Sequence, residues 1–280
     1  MRRKLLAALG AIALALVGAA AQAETLTIQQ TPAVPRSYLA GCVLSNDGST
    51  PNTTIDVAAC QAADSGNAAL ISLGAFTKKT SGAWAAGTGG NGMGQGLTVA
   101  NATWYDVCLA ANGNAPDIFF DTAVSGQTPC AQHRPSAITD TRVRRLGSIK
   151  TDGSANILTF AQDGDVFYWQ AANQDANALV TSSSAALLTV SVPTGVKVRP
   201  LLRMLAVTTP VLMSSPDGPD LATNATFATT PGYNVGTTGS PAPIGHLFSN
   251  TSGQVRLRSS GAGTLTVYTD GWIDERGRIN

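Results

Sequence analysis

The sequence is poor in charged residues. Lys, Arg, Asp and Glu make up 12% of its 280 residues, against about 25% in typical soluble proteins. The formal net charge is only +1, so no long-range electrostatic attraction draws the chain to nucleic acid or to anionic lipid. A nucleic-acid partner is therefore not expected, and neutral side chains such as Ser, Thr and Asn must cover much of the surface.

Residues and motifs that carry chemistry are also scarce. The chain has two histidines, His133 and His246, and neither lies in a recognisable motif. It has no G-x-S-x-G sequence and no C-x-x-C pair, which leaves a serine hydrolase or a zinc site without support. A GxGxxG-like pattern in residues 87–96 lacks the strand and the helix that a dinucleotide site requires. We expect that stretch to be a mobile surface loop, and we expect no catalytic residue, cofactor or metal.

The first 23 residues have the features of a secretory signal peptide. Three basic residues (Arg2, Arg3 and Lys4) precede an apolar run at 5–17, and Ala21-Gln22-Ala23 supplies small residues for cleavage. No later segment is long and apolar enough to cross a bilayer. The sequence therefore predicts an exported protein, periplasmic or extracellular, that has no membrane anchor after cleavage.

Four cysteines follow the predicted cleavage site: Cys42, Cys60, Cys108 and Cys130. An even number of cysteines in an exported chain favours disulfides over a metal site. Of the three pairings that are open, we favour Cys42–Cys60 and Cys108–Cys130, because each pair brackets two segments that resemble neighbouring strands. Each bond would stabilise the fold by about 3 kcal/mol, mainly by restricting the unfolded chain.

Short segments in which apolar and polar residues alternate recur along the chain, and 29 Gly and 14 Pro separate them. Alternation with a period of two is typical of strands with one buried face. The pattern predicts an all-β fold with two antiparallel β-sandwich-like (jelly-roll-like) domains. We place an extended arm at 24–36, the first domain at 37–169 and the second at 170–280.

Residues 142–169 are the clearest β segment. The dipeptides Asp152-Gly153 and Asp163-Gly164 favour tight turns, and they separate three runs rich in Ile, Val, Phe and Tyr. This arrangement predicts a three-stranded antiparallel meander. Elsewhere, residues 78–84 are short and interrupted by glycine, and we expect at most one helical turn there.

Few side chains are candidates for recognition. Arg142, Arg144 and Arg145 form the only basic cluster, which favours a polar rim or a subunit contact, with a phosphate or an acidic glycan as the alternative ligand. Most of the large aromatic residues lie in predicted strands and should be core, whereas Tyr233 lies in the long Pro/Gly-rich segment 214–243 and should be exposed.

Paired carboxylates are the only other signal of catalysis. Glycosidases need two carboxyl groups about 5–9.5 Å apart. Asp163 with Asp165 and Asp217 with Asp220 are close in sequence, but both pairs lie in turn-rich settings. There an Asp side chain usually bonds neighbouring backbone amides. We therefore favour a turn-forming role for all four.

Several phrases, in their order, resemble a pattern found in tail-fibre and related virion proteins of tailed phages and prophages. They include LAGCVLSNDGSTPNTTIDVAAC, TWYDVCLA, RVRRLGSIKTDGSANILTFAQDGDVFYW and LTVYTDGWIDERG. Together they extend from about Tyr38 to Gly277 and so cover nearly all of the chain that follows the predicted leader. The resemblance implies a β-rich structural or receptor-contacting module of a virion, homotrimeric, with no catalytic residues to carry over.

An export signal and three of the cysteines, Cys42, Cys60 and Cys108, depart from that pattern. They leave open a host-encoded protein that has reused the phage module. The sequence thus favours a non-enzymatic structural or adhesive protein, whose partners are copies of itself and either other virion proteins or a cell-surface glycan. An exported glycan-binding protein of the bacterial envelope and a secreted polysaccharide hydrolase are the alternatives.

Overall fold

Every regular element in the described part of the chain is a β-strand. The structure, a computed structural model, describes residues 37–113, 115–220 and 247–278, and the backbone of 233–235. These ranges contain no helix, and so none that could span a membrane. The predicted signal peptide and the arm at 24–36 lie outside them, as does His246. The prediction of an all-β fold is confirmed.

The strands are short in the first half of the chain and longer in the second. In chain order they are β1 (Leu39–Gly41), β2 (Leu44–Asn46), β3 (Thr54–Val57), β4 (Cys60–Ala63), β5 (Leu70–Leu73), β6 (Phe76–Ala83), β7 (Asn91–Met93), β8 (Trp104–Ala110), β9 (Asp117–Thr122), β10 (Val143–Lys150), β11 (Phe160–Asp163), β12 (Val166–Thr181), β13 (Ala186–Thr189), β14 (Arg199–Val207), β15 (Val211–Ser214), β16 (Tyr233–Val235), β17 (Gln254–Ser259) and β18 (Gly263–Ile273).

The strands form four sheets. The first half contains a seven-stranded sheet in the order β10-β8-β9-β7-β6-β3-β2 and a three-stranded sheet in the order β1-β4-β5. The second half contains two four-stranded sheets, in the orders β11-β12-β18-β14 and β13-β17-β15-β16. All described strand pairs are antiparallel except those of β7, which runs parallel to both β6 and β9.

A cluster of aromatic rings lies in the core and joins the two halves. Trp104 on β8 meets Trp272 on β18 edge to face, with ring centroids 5.5 Å apart. Phe167 on β12 stacks on Trp272 at 5.0 Å. Such pairs stabilise by about 0.5–1.5 kcal/mol beyond the burial of their area. The core is therefore continuous from the first sheet to the last strand.

The proposed boundary between residues 169 and 170 falls inside β12. This strand pairs with β11 on one side and with β18 on the other, and the hydrophobic core includes buried residues from Leu39 to Trp272. Division into a first and a second domain stays a prediction.

The predicted meander is wrong in its first turn. β11 and β12 form the expected hairpin across Asp163-Gly164, but β10 pairs with β8 in another sheet. Only one bridge, Thr151 to Ile157, closes the turn after Asp152. The Asp152 carboxylate accepts bonds from the amides of Ser154 and Asn156, so the turn itself forms while its two flanking strands go to different sheets.

The first disulfide links two points at which the chain passes between the small sheet and the large one. β2 pairs with β3 in the large sheet, whereas β1 pairs with β4 in the small one. Between β1 and β2 lies Cys42, whose φ of 54° turns the chain. Its bond to Cys60, with Cα atoms 4.8 Å apart, confirms the predicted pairing. Cys108–Cys130 is also formed, with a Cα separation of 5.7 Å.

Candidate functional site

The basic cluster is divided between the surface and the interior. Arg142 is exposed and its Nε donates to Asp140 Oδ1 at 2.9 Å. Arg144 and Arg145 are only 4% and 6% exposed, because β10 is buried on both faces. The expectation of surface contact is therefore wrong for Arg144 and Arg145, and Arg142 alone keeps it.

Arg145 is held by two carboxylates from distant parts of the chain. Its Nε donates to Asp106 Oδ1 at 2.7 Å, and its two Nη atoms donate to the Asp274 carboxylate. Burial by itself would lower the pKa of Arg145, but the charges of Asp274 and Asp106 raise it above its ordinary value. This group ties the segment after β18 to the seven-stranded sheet, which is a structural task.

The glycine-rich stretch at 87–96 was expected to be a mobile surface loop, and its centre is instead the buried strand β7. A Cβ on Gly92 would lie 2.6 Å from Lys78 Cγ and 2.8 Å from Phe120 Cε2. A Cβ on Gly94 would lie 2.3 Å from the His133 carbonyl oxygen. Glycine is required here because backbone and side chains pack too closely for any side chain, not because the segment must move.

The strand beside β7 supplies a fully buried lysine. Lys78 Nζ donates to Asp117 Oδ1 at 2.6 Å and to the carbonyls of Ala85 and Gly87 at 2.7 and 3.2 Å, and it lies 5.0 Å from the centre of the Trp84 ring. Burial lowers the pKa of Lys78, although Asp117 opposes that effect. Its three protons each have an acceptor, so it anchors the loop before β7. Residues 78–83 belong to β6 and Trp84 follows that strand directly, so the expected helical turn does not form.

His133 pairs with a buried carboxylate. Its Nδ1 lies 2.8 Å from Asp121 Oδ1, and the Thr122 hydroxyl lies 3.3 Å from the same nitrogen. In a Ser-His-Asp site the hydroxyl nucleophile contacts the other imidazole nitrogen. No serine hydroxyl contacts His133 within the described ranges, so the pair does not assemble that triad there.

Three of the four candidate carboxylates form ion pairs with Lys or Arg side chains, and these contacts do not form a two-carboxylate catalytic site. Asp217 Oδ2 is 2.7 Å from Lys197 Nζ, and Asp220 Oδ2 is 3.2 Å from Arg258 Nη1. Asp165 bonds Arg276, and Asp163 is exposed in the hairpin turn. Nor do three His, Cys, Asp or Glu side chains converge as metal ligands in the part of the chain that is described.

Most of the large aromatic residues lie in the core, as predicted. Trp104, Tyr105, Trp169 and Trp272 are all buried. Tyr233 lies on β16, and its side chain is outside the description. Tyr168, which the sequence analysis did not single out, is 45% exposed. Its position between the buried Phe167 and Trp169 is the alternation that could have identified it.

An open groove of about 570 Å³ lies over the small sheet and the Cys42–Cys60 corner. Its walls are small and neutral, and the only cysteine among them is bonded in the disulfide. They are formed by Ala40, Gly41, Ala59, Cys60, Gln61, Ser72, Leu73 and Gly74. Since no ionisable side chain lines it, this groove offers no acid, base or nucleophile.

The outer face of the sheet β11-β12-β18-β14 carries exposed apolar side chains. Val180 on β12 and Val207 on β14 both lie opposite Thr264 of the strand between them, and Leu205 lies opposite Thr266. Val180 is 75% exposed, Leu205 49% and Val207 47%. We call these five residues the Val180 patch. Alternation with the buried Ala206 is the sequence signal for its β14 half.

Among the residues that the structure describes, no strand covers the edge of the sheet beside the Val180 patch. Within the described ranges β14 forms a ladder only with β18, although it is nine residues long. A long, apolar edge strand offers unpaired backbone donors and acceptors to another chain. Of the surfaces that the structure describes, this one is the best suited to an interaction.

Comparison with known proteins adds no family to this description. No protein-family model, no curated protein and no solved structure matches the chain.

Proposed function

We propose that this chain is an exported, non-enzymatic structural or adhesive protein that assembles into a homo-oligomer through the Val180 patch. The oligomer is a trimer, and its tail-fibre-like role is to contact a partner or a host surface. The observation that carries the proposal is the row of exposed apolar residues beside a sheet edge that no described strand covers.

Two disulfides support the environment that this role requires. Disulfides persist in oxidising compartments and are rare in the cytosol, and all four cysteines of this chain are bonded. A non-reducing environment follows from this chemistry. Export by the predicted leader, and a place on a virion or on the cell envelope, are parts of the proposal.

The character of the patch favours a second copy of the chain as its partner. The nearest charged side chain on the same face of β14, Arg203, is neutralised by Asp270 at 2.8 Å. The surface therefore presents no net charge to a charged ligand, and two copies can meet there without repulsion. Closed symmetric assemblies of identical chains are also the commonest oligomers among soluble proteins.

The test is the oligomeric state of the purified chain without its leader, measured by size-exclusion chromatography with light scattering. We expect a trimer for the wild type and a monomer for Val180→Asp, since a carboxylate would be buried unpaired in each contact. Val180 is so exposed that the monomer should fold normally. Val124→Asp is the matched control, because Val124 is 46% exposed and lies outside the patch.

A wild-type protein that is monomeric at micromolar concentration, or a Val180→Asp variant that remains a trimer, would refute assembly through this surface. The virion role has a separate test. Immunodetection in purified phage particles supports it, whereas recovery only in the periplasm or the medium favours a host envelope protein.

A further inference from the structure

The second arginine of the basic cluster is buried without an ion-pair partner. Arg144 is 4% exposed, and its one hydrogen bond runs from Nη2 to the Arg276 carbonyl at 2.6 Å. Its Nε is buried with no acceptor. Arginine cannot shed its proton to avoid the cost of burial, so a bound anion would stabilise the buried charge of Arg144.

The surroundings of Arg144 contain more cations than paired carboxylates. Four guanidinium groups gather here, and the carboxylates that form ion pairs with them number three: Asp106 and Asp274 on Arg145, and Asp165 on Arg276 and Arg278. Burial lowers the pKa of Arg144, and the positive charges of Arg276, Arg278 and Arg145 lower it further. One positive charge is thus left without an ion-pair partner.

One further carboxylate, that of Asp64, acts on Arg144 only through space. Its oxygens accept hydrogen bonds from the amides of Gly66, Ala68 and Ala69. A second guanidinium also lacks a hydrogen-bond acceptor, since the Nε of Arg276 is buried without one.

We infer that Arg144, Arg276 and Arg278 form a binding site for an oxyanion: a phosphate or sulfate, either free or carried by an acidic glycan. Guanidinium groups match the planar, two-point geometry of such ligands. Access lies over Gly277, which is exposed and whose missing side chain would stand 3.8 Å from Arg144 Nη2. Arg278, with 32% of its side chain exposed, lies at the rim of the site.

The test is thermal unfolding in inorganic phosphate against chloride at equal ionic strength. A ligand that binds only the folded state raises the melting temperature, so we expect a rise in the wild type that saturates with phosphate. Arg144→Met keeps the length of the side chain and should abolish the rise, whereas Arg278→Gln should weaken it. Lys79→Gln removes one positive charge at an exposed position on β6, outside both the Val180 patch and this site, and should behave as the wild type.

Calorimetric titration of the wild type with phosphate and with a sulfated monosaccharide distinguishes the source of the anion. Binding of both ligands indicates a site open to acidic glycans, and binding of phosphate alone indicates a site for free anions. The inference fails if phosphate does not raise the melting temperature of the wild type, or if it raises that of Arg144→Met by the same amount. Should Arg144→Met not fold, an Arg278→Gln protein with unweakened phosphate binding would refute the site.

Discussion

Arg145 donates two hydrogen bonds to Asp274, from Nη1 to Oδ1 at 3.1 Å and from Nη2 to Oδ2 at 2.7 Å, and the two residues are 129 positions apart in sequence. Both side chains are buried. The pair ties the segment after β18 to strand β10 of the seven-stranded sheet.

Replacing Arg145 by Met should destabilise the protein by about 3–5 kcal/mol, because the Asp106 and Asp274 carboxylates would then be buried without their cation. The measurement is the free energy of unfolding from denaturant titration at pH 7. Arg142→Met is the control, since Arg142 is exposed and its loss should change stability by less than about 1 kcal/mol. Equal effects of the two substitutions would contradict the role assigned to Arg145.

Local alternation revealed much of the fold but not this pair. The alternating segments predicted the all-β fold, in which β8 and β9, for example, form a hairpin with Ala110 opposite Asp117. The expectation that the cysteines bracket neighbouring strands led to both disulfides. Three arginines within four residues, however, look polar in any local window. The burial of Arg145 depends on Asp106 and Asp274, which no pattern within residues 142–145 could reveal.

The disulfide between Cys108 and Cys130 closes a loop of 22 residues. Removing it in a Cys108→Ala/Cys130→Ala double variant should cost about 3 kcal/mol, because the unfolded chain regains the entropy of the open loop. Unfolding in guanidinium under non-reducing conditions measures the loss. Alkylation of the unfolded, non-reduced wild type should label no cysteine, and two or more labelled thiols would contradict the pairing.

Glycine at position 92 should be irreplaceable. The Cβ of Gly92→Ala would meet Lys78 and Phe120 well inside van der Waals contact, and such overpacking typically costs about 1–3 kcal/mol. Denaturant unfolding gives the difference. Gly48→Ala is the matched control, because a Cβ there meets nothing within 4 Å. Equal free energies of unfolding for the two variants would show that close packing does not require glycine at position 92.

The glycine-rich segment also shows where composition misleads. Glycine leaves no side chain whose alternation could indicate a strand, so β7 has no apolar pattern of its own. Its place is set by the neighbours: Lys78 and Asp117 hold the chain at Gly87, and Phe120 fills the space beside Gly92. The Val180 patch was missed for the opposite reason. Its members come from three strands, and β12 and β14 meet only through β18, which lies between them.

The ion pair of Asp140 with Arg142 gives the protein a small, defined acid sensitivity. The hydrogen bond from the Arg142 side chain lowers the pKa of Asp140 from 3.8 to about 2. Between these values the unfolded chain binds more protons than the folded one, so stability falls as the pH falls. The contribution of Asp140 is complete above pH 3.8 and is lost as the pH approaches 2. A carbon-detected NMR titration should show Asp140 as a carboxyl group with a pKa near 2, and in Arg142→Gln that pKa should return toward 3.8, its ordinary value. An unchanged titration in Arg142→Gln would show that the backbone, and not the guanidinium, sets the charge of this surface carboxylate.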